Sequence, residues 1–451
     1  MPDRKPGTAQ KHALAASMLG MLLDGYDLSI MAVVLLSLSS AWHLTAAQTG
    51  TLMAAALAGS FVGGLLGGYV TDRFGRRRLL LPNILLYGTG AVWSALSPHL
   101  DSLYAARFVT GLAIGLDYPL VATIVAEYGR SMTRGRGFAW INLAWFAGAL
   151  VSTLVGWILL SMGSGSWRWM LGSAVVPVAV LFWLRRGLPE SPRWLVRRGR
   201  WSEATEAMKA IRPELSEESL EIHLKTYVGD NFSAVRLLHS PWPRRLGLAI
   251  IPWFFLDVVS LGIALYFPLV LRQYGLAGSQ EAAAAINALF LAISASCIVF
   301  ILPRVDRWGR IPLQTGGFAL MSCGLAVFGG GAAWHLPAAV YTGAALYAMG
   351  LGLGPAVTVF ALSVEIFPTH LRATAAGMAT AISRLGAVFS ALFFPFLERE
   401  WGIAVLLLLN GGVALAAVIV TRLFALETRR VSLEELELPA EGSSTHVHAS
   451  S

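Results

Sequence analysis

The chain has 451 residues, of which 56% are hydrophobic and only 13% charged, with a mean hydropathy of +0.63; soluble domains carry about 25% charged residues, so an ordinary water-soluble enzyme is excluded. The net charge of +8 does not signal a nucleic-acid partner, because the basic residues fall in short loops between apolar runs rather than on one face. The two cysteines, Cys297 and Cys323, each lie inside an apolar run and support neither a disulfide framework nor a metal site.

Apolar runs of about 20 residues, each long enough to cross about 30 Å of hydrocarbon as a helix, recur along nearly the whole chain. Arg4, Lys5 and Lys11 precede the first run, which is too long for a signal segment and lacks a small-residue cleavage site, so it is expected to remain as helix 1. Six helices are predicted at 12–38, 47–71, 79–98, 102–128, 137–162 and 166–185, and six more at 246–271, 281–303, 312–333, 337–361, 373–397 and 402–424. The expected fold class is an all-α membrane protein of twelve transmembrane helices. Arginines follow helix 2 (Arg73, Arg76, Arg77, Arg78), helix 4 (Arg130, Arg134, Arg136) and helix 8 (Arg304, Arg307, Arg310), while the loops at 39–46, 97–101 and 334–336 hold no Lys or Arg. The positive-inside rule then puts both termini in the cytoplasm of a multi-pass protein.

Four regions follow: a six-helix half at 1–185, a linker at 186–245, a second half at 246–425 and a tail at 426–451. In the linker, Trp201–Ile211 and Pro213–Tyr227 read as amphipathic helices on the cytoplasmic face. The tail ends in EGSSTHVHASS, too polar to build a core and expected to be disordered. An internal repeat decides the architecture: DRFGR at 72–76 recurs as DRWGR at 306–310, and at nearly the same offset Glu127 and Arg134 match Glu365 and Arg372, Glu190 matches Glu427 and Pro119 matches Pro355. Two pseudo-symmetric halves with a site at their interface near the bilayer midplane are the expectation.

DRFGRRR after helix 2, Arg107 with Gly111 and Gly115 opening helix 4, PESPRWL at 189–195 and EIFPTHLRA at 365–373 resemble the sugar-porter-related branch of the major facilitator superfamily. Within it, DGYDL at 24–28, GLDYPLVATI at 115–124, WFFLD at 253–257 and SRLGA at 383–387 are most similar to proton:phosphate and proton:organic-anion symporters, DGYD also to aromatic-acid:proton symporters. The chain departs from the phosphate pattern: Arg384 stands where a lysine is usual, Trp145 where a glutamine is expected, and Ala356 where an asparagine is expected. These departures favour an organic anion with an apolar body over inorganic phosphate. No glutamine falls in the middle of a predicted helix, which argues against a sugar, since hydroxyl recognition normally needs such amides.

A charge at the bilayer centre costs at least about 2.5 kcal/mol, so each one is a functional-site candidate. Five are read here: Asp24 and Asp27 in helix 1, Asp117 in helix 4, Asp257 in helix 7 and Arg384 in helix 11. Four carboxylates facing one guanidinium cannot all be ionised, so Asp24, Asp27 and Asp117 are the proton-coupling candidates. Arg384, whose planar fork matches a carboxylate, is the anion anchor, with Asp257, Tyr118, Trp145 and Trp253 beside it in the substrate site. Structural alternatives stand next to these: a permanent Arg384–Asp257 pair, Asp27 capping a helix break at Gly25, and Asp117 satisfying backbone freed by Pro119. The resemblance and the helix-end positions together assign Asp72, Arg73, Arg76, Glu127 and Arg134, with Asp306, Arg307, Arg310, Glu365 and Arg372, to a cytoplasmic latch between the halves.

The expected function is proton-coupled uptake of an organic anion by alternating access, with a phosphate symporter, a proton-driven drug exporter or a non-transporting sensor as alternatives. The partners are then a small anion, protons and the bilayer, with the protein a monomer that needs no cofactor or metal. No nucleophile with its base, no metal-ligand cluster and no phosphate-binding glycine loop points to an enzyme.

Overall fold

The computed structural model describes residues 8–128, 134–163, 165–213, 215–225, 242–367 and 369–428. In the first half α1 (Thr8–Trp42), α2 (Ala46–Phe74), α3 (Arg77–Leu96), α4 (Leu100–Tyr128) and α5 (Arg134–Leu160) are followed by α6 (Ser166–Gly172) and α7 (Val175–Arg185), which together make the sixth span. Three short helices, α8 (Pro192–Arg197), α9 (Trp201–Ile211) and α10 (Glu217–Lys225), form the connection. The second half holds α11 (Trp242–Gln273), α12 (Gln280–Ile301), α13 (Val305–Trp308), α14 (Arg310–Ala333), α15 (Pro337–Leu353), α16 (Pro355–Glu365) and α17 (Thr369–Leu423).

Among the described residues, ten stretches are long and apolar enough to cross a membrane. One of these, in α17, is two spans that turn at Gly402, where φ is 77°, and α4 is a further span with Arg107 and Asp117 in its interior. The result is a bundle of twelve spanning helices, each within a few residues of its predicted position. Predicted helix 10 breaks between α15 and α16 at Gly354. Pro355 has no N–H to continue the helix, and Gly354 lets the chain pass against α14, because a Cβ there would lie 2.0 Å from the Leu313 carbonyl.

Within the first half α1 packs on α5 and α2 on α4; within the second α11 packs on α17 and α14 on α15. The halves meet where α2 lies along α17 and α5 along α12. Several of these seams are backbone against backbone. A Cβ on Gly25 would fall 2.0 Å from the Trp145 carbonyl, and one on Gly111 would fall 1.8 Å from that of Ala56, so only glycine allows helices to approach this closely.

The linker helix predicted at 201–211 is α9, and the one predicted at 213–227 begins later, at Glu217, as α10; α8, capped by the Ser191 hydroxyl that accepts from Trp194 N, was not anticipated. The three share a small core of Trp194, Leu195, Ala204, Met208, Leu220 and Leu224. Ile211 of α9 joins a second cluster with Ala13, Ala16, Leu80 and Leu120, so the linker is fastened to the first half. The tail beyond 428, expected to be disordered, lies outside the described residues.

The repeat seen in the sequence is repeated in space. Gly75 and Gly309 turn with φ of 89° and 88°, a left-handed conformation that costs glycine little, and each delivers the chain into a helix N-terminus. Glu190 accepts from Arg76 N at 2.8 Å and from Arg77 N at 3.2 Å; Glu427 accepts from Arg310 N at 2.9 Å and from Ile311 N at 3.0 Å. A carboxylate on the otherwise unsatisfied N–H groups of a helix start is favoured by hydrogen bonding and by the helix dipole together. Glu427→Ala is therefore expected to cost about 1.5–3 kcal/mol and Glu190→Ala a similar amount. Because the two capped helix starts lie in separate halves, the double variant should lower the melting temperature in detergent by the sum of the single effects; a double variant that melts like either single one contradicts this.

Candidate functional site

The buried charges are more numerous and better paired than the sequence suggests. Asp27, on α1, receives both ends of the Arg107 guanidinium from α4, Nη1 at 2.9 Å and Nη2 at 2.5 Å, with both side chains almost fully buried. Asp117, on α4, receives Nη1 and Nη2 of Arg185 at 2.5 and 2.8 Å and Nδ2 of Asn83 at 3.1 Å. Arg185 comes from the end of α7 and passes α1 at Gly20, where a Cβ would fall 2.6 Å from Nη2.

Among the described residues, the count of one guanidinium against four carboxylates is thus corrected to three against four. Arg107 and Arg185 sit near the ends of their predicted helices, where arginine is commonly read as reaching outward to the interface. Both instead extend inward, because a buried carboxylate waits within reach. The idea that Asp27 caps a helix break at Gly25 is also corrected: α1 runs unbroken from Thr8 to Trp42, and Gly25 serves the contact with α5.

Asp24 differs from the other three acids. It is 1% exposed, its Oδ2 has no hydrogen-bond partner, and it lies in the electrostatic field of Asp117, Asp27, Arg185 and Arg384. It is the buried carboxylate on which no guanidinium bond is formed among the described residues.

Between the halves lies a cavity of about 160 Å³. Its walls are mostly apolar and aromatic, with Trp145 and Phe146 from α5, Trp253 and Phe267 from α11, Phe290 from α12 and Phe360 from α16. Trp253 stands edge-on to Phe360, ring centroids 5.7 Å apart. Of the residues predicted for the substrate site, Arg384, Asp257, Tyr118, Trp145 and Trp253 all line this cavity; Asp24, Asp27 and Asp117 do not.

Arg384 is the cation of the wall. Its Nη1 donates to Asp257 at 3.3 Å and its Nη2 to the Tyr118 hydroxyl at 2.6 Å, the guanidinium carbon lying 4.8 Å from the Tyr118 ring centroid. Its Nε is buried without a partner. The guanidinium thus keeps one edge, Nε with Nη2, on which no carboxylate sits. Sequence reasoning that looked only for glutamine missed two amides in the same wall, Asn142 and Asn287; an asparagine within an apolar run was the available signal.

Among the described residues of the latch set, Arg310 makes its ion pairs inside the second half. Arg310 grips Glu365 through Nε at 2.9 Å and Nη2 at 2.8 Å, with Asp306 at 2.9 Å from the same Nη2 and the Thr428 hydroxyl donating to Glu365 at 2.8 Å. In the first half, Arg73 donates to the Tyr69 hydroxyl at 2.7 Å and Arg76 is buried, its backbone N–H capped by Glu190; in the second half, the Arg307 N–H donates to the Arg304 carbonyl. The side chains of Asp72, Glu127, Arg134 and Arg372 lie outside the described residues.

A closed helical bundle around a mid-depth cavity, built twice, is mirrored in known proteins. The sequence matches the family described as sugar (and other) transporter along residues 12–438. It is 33% identical over 419 residues to the putative metabolite transport protein YaaU of Escherichia coli K12, covering 92% of each chain. It is 30% identical over 420 residues to the inner membrane metabolite transport protein YgcS of the same organism, covering 91% of this chain and 90% of that one. Its fold superposes with a TM-score of 0.82 on the proton:xylose symporter XylE bound to 6-bromo-6-deoxy-D-glucose, at 24% identity and covering 95% of this chain and 98% of the other. The chain belongs to the sugar (and other) transporter family, a multi-pass membrane transporter with the major facilitator fold rather than an enzyme.

Proposed function

We propose that the protein is a secondary transporter that takes up an organic anion, a carboxylate with an apolar body, together with protons, by rocking its halves about the central cavity. The observation that carries this reading is the state of Arg384: a permanently charged fork in an aromatic cavity, held by Asp257 through one nitrogen while its Nε/Nη2 edge carries no acid. Such an edge matches a carboxylate with two parallel charge-assisted bonds, and the surrounding rings accept the rest of the molecule. On this reading the Arg384–Asp257 pair is not a closed structural unit, since Asp257 keeps its nitrogen when the anion arrives.

Proton coupling is assigned to the carboxylates of α1 and α4. Asp24, without a guanidinium, is the one whose protonation disturbs no bidentate ion pair, whereas protonating Asp27 or Asp117 would undo one. The arginine-bearing ends of the helices are assigned to the cytoplasm with both termini, in the inner membrane of a bacterium. The ion pairs at that end, Arg310 with Glu365 and Asp306, serve the gating movement by stiffening the second half.

A second reading is a sugar or polyol substrate. XylE carries xylose with protons, and Asn142, Asn287, Ser29 and Ser260 offer hydroxyl partners in the same wall. Binding of aromatic monocarboxylates, short dicarboxylates, phosphate and pentoses to the purified protein by calorimetry separates the two. Saturable binding of pentoses with no response to any carboxylate overturns the anion reading.

Transport in proteoliposomes should rise as the outside is made acidic and collapse with a protonophore. Asp24→Asn should preserve folding and flatten this pH response, whereas Asp27→Asn, which leaves Arg107 buried without its partner, should lower stability by about 3–5 kcal/mol. An Asp24→Asn protein with the wild-type pH profile moves the proton to Asp27 or Asp117.

At the anchor, Arg384→Lys keeps the charge but loses the two-pronged edge, so carboxylate affinity should fall while folding is kept. Arg384→Ala should lose about 2–5 kcal/mol of binding, roughly thirty-fold to several-thousand-fold in affinity. The double variant Arg384→Ala with Asp257→Ala should recover folding without anion uptake. Near-normal anion transport by it would show that the anchor lies elsewhere.

A further inference from the structure

We propose that the Tyr118 hydroxyl is an intramolecular stand-in for the substrate: it occupies half of the Arg384 edge that an anion would take, and so ties the two halves together across the cavity until an anion displaces it. The inference rests on the anion-binding reading of Arg384.

Tyr118 belongs to α4 of the first half and Arg384 to α17 of the second. Their bond of 2.6 Å joins two buried residues, Tyr118 at 6% and Arg384 at 5% exposure, deep between the halves. Nε and Nη2 form one planar edge of the guanidinium; Nη2 is taken by Tyr118 and Nε has no partner. A neutral hydroxyl can satisfy one donor of that edge, whereas a carboxylate satisfies both and adds opposite charge. The exchange therefore runs towards the anion and requires nothing of Asp257, which sits on Nη1.

The residue before Tyr118 makes the exchange mechanical. Asp117 is clamped inside the first half by Arg185 and Asn83, which fixes the backbone of α4 at this level. Displacing the hydroxyl thus releases α4 from α17 without loosening α4 from its own half. A ligand moves a conformational equilibrium only by its difference in affinity for the two states, and a tether that exists only when the site is empty supplies such a difference.

The test uses the full chain with Cys297 and Cys323 replaced by Ala and spin labels at two pairs of exposed positions, Thr51 with Arg399 and Ser202 with Arg422, compared with and without Tyr118→Phe. The Phe variant keeps the ring over the guanidinium and deletes only the hydroxyl. With no ligand present, it should populate at one of the two pairs a second inter-half distance that the parent shows only when benzoate is added. It should also bind benzoate more tightly than the parent, by about three- to tenfold, since the competitor on Nη2 is gone. Identical ligand-free distances in the two proteins overturn the tether. Weaker benzoate binding by the Phe variant overturns the stand-in, because the hydroxyl is then an ordinary substrate contact. If benzoate binds neither protein, the anion reading fails for this ligand, and the ligand-free distances decide the tether by themselves.

Discussion

A charge buried among hydrocarbon and helices must find an opposite charge or a proton, because water is not there to screen it. Four aspartates and three arginines meet this demand in the interior of the bundle, and their pairing pattern organises the rest of the molecule. Two of the pairs are bidentate and internal to the first half, Asp27 with Arg107 and Asp117 with Arg185. The third, Asp257 with Arg384, is longer, single-ended and open to the cavity. The fourth acid, Asp24, forms no guanidinium bond among the described residues, and its Oδ2 has no hydrogen-bond partner. Strongly paired charges serve as structure, and incompletely paired ones are where a proton or an anion changes the energy most.

The scaffold keeps these groups in register by close approach of helices. α1 can bring Asp24 and Asp27 against α4 and α7 because Gly20 leaves room for the Arg185 fork and Gly25 lets α5 come into backbone contact. At the helix ends the same economy is repeated twice, with Glu190 and Glu427 capping equivalent helix starts after equivalent left-handed glycines. The linker helix α9 packs on the first half through Ile211.

The fold was largely legible in the sequence. Hydropathy runs located the spans, the DRFGR and DRWGR echoes implied the two halves, and the Glu190–Glu427 echo turned out to mark matching helix caps. The breaks were harder: Gly354–Pro355 could be seen as a turn signal, but the split of the sixth span into α6 and α7 and the continuity of α17 up to Gly402 depend on tertiary packing. For the site, the residues of the cavity wall were found from their charge or aromatic character, since Arg384 and Asp257 are conspicuous within apolar runs. What the sequence hid was partnership. A one-dimensional reading assigns Arg107 and Arg185 to helix ends, and only the folded chain reveals that their long side chains turn inward to Asp27 and Asp117. Asn142 and Asn287 were overlooked because a short amide in an apolar run reads equally well as packing.

The seam between α1 and α5 separates two properties of one residue. Gly25 meets the carbonyl of Trp145, while the indole of Trp145 faces the cavity. The backbone that sets the helix spacing is common to every amino acid, so a different side chain at 145 would reshape the chamber and leave the joint as it is. Cargo preference can therefore drift over evolutionary time by exchange of wall side chains, while the moving parts inherited with the fold stay unaltered.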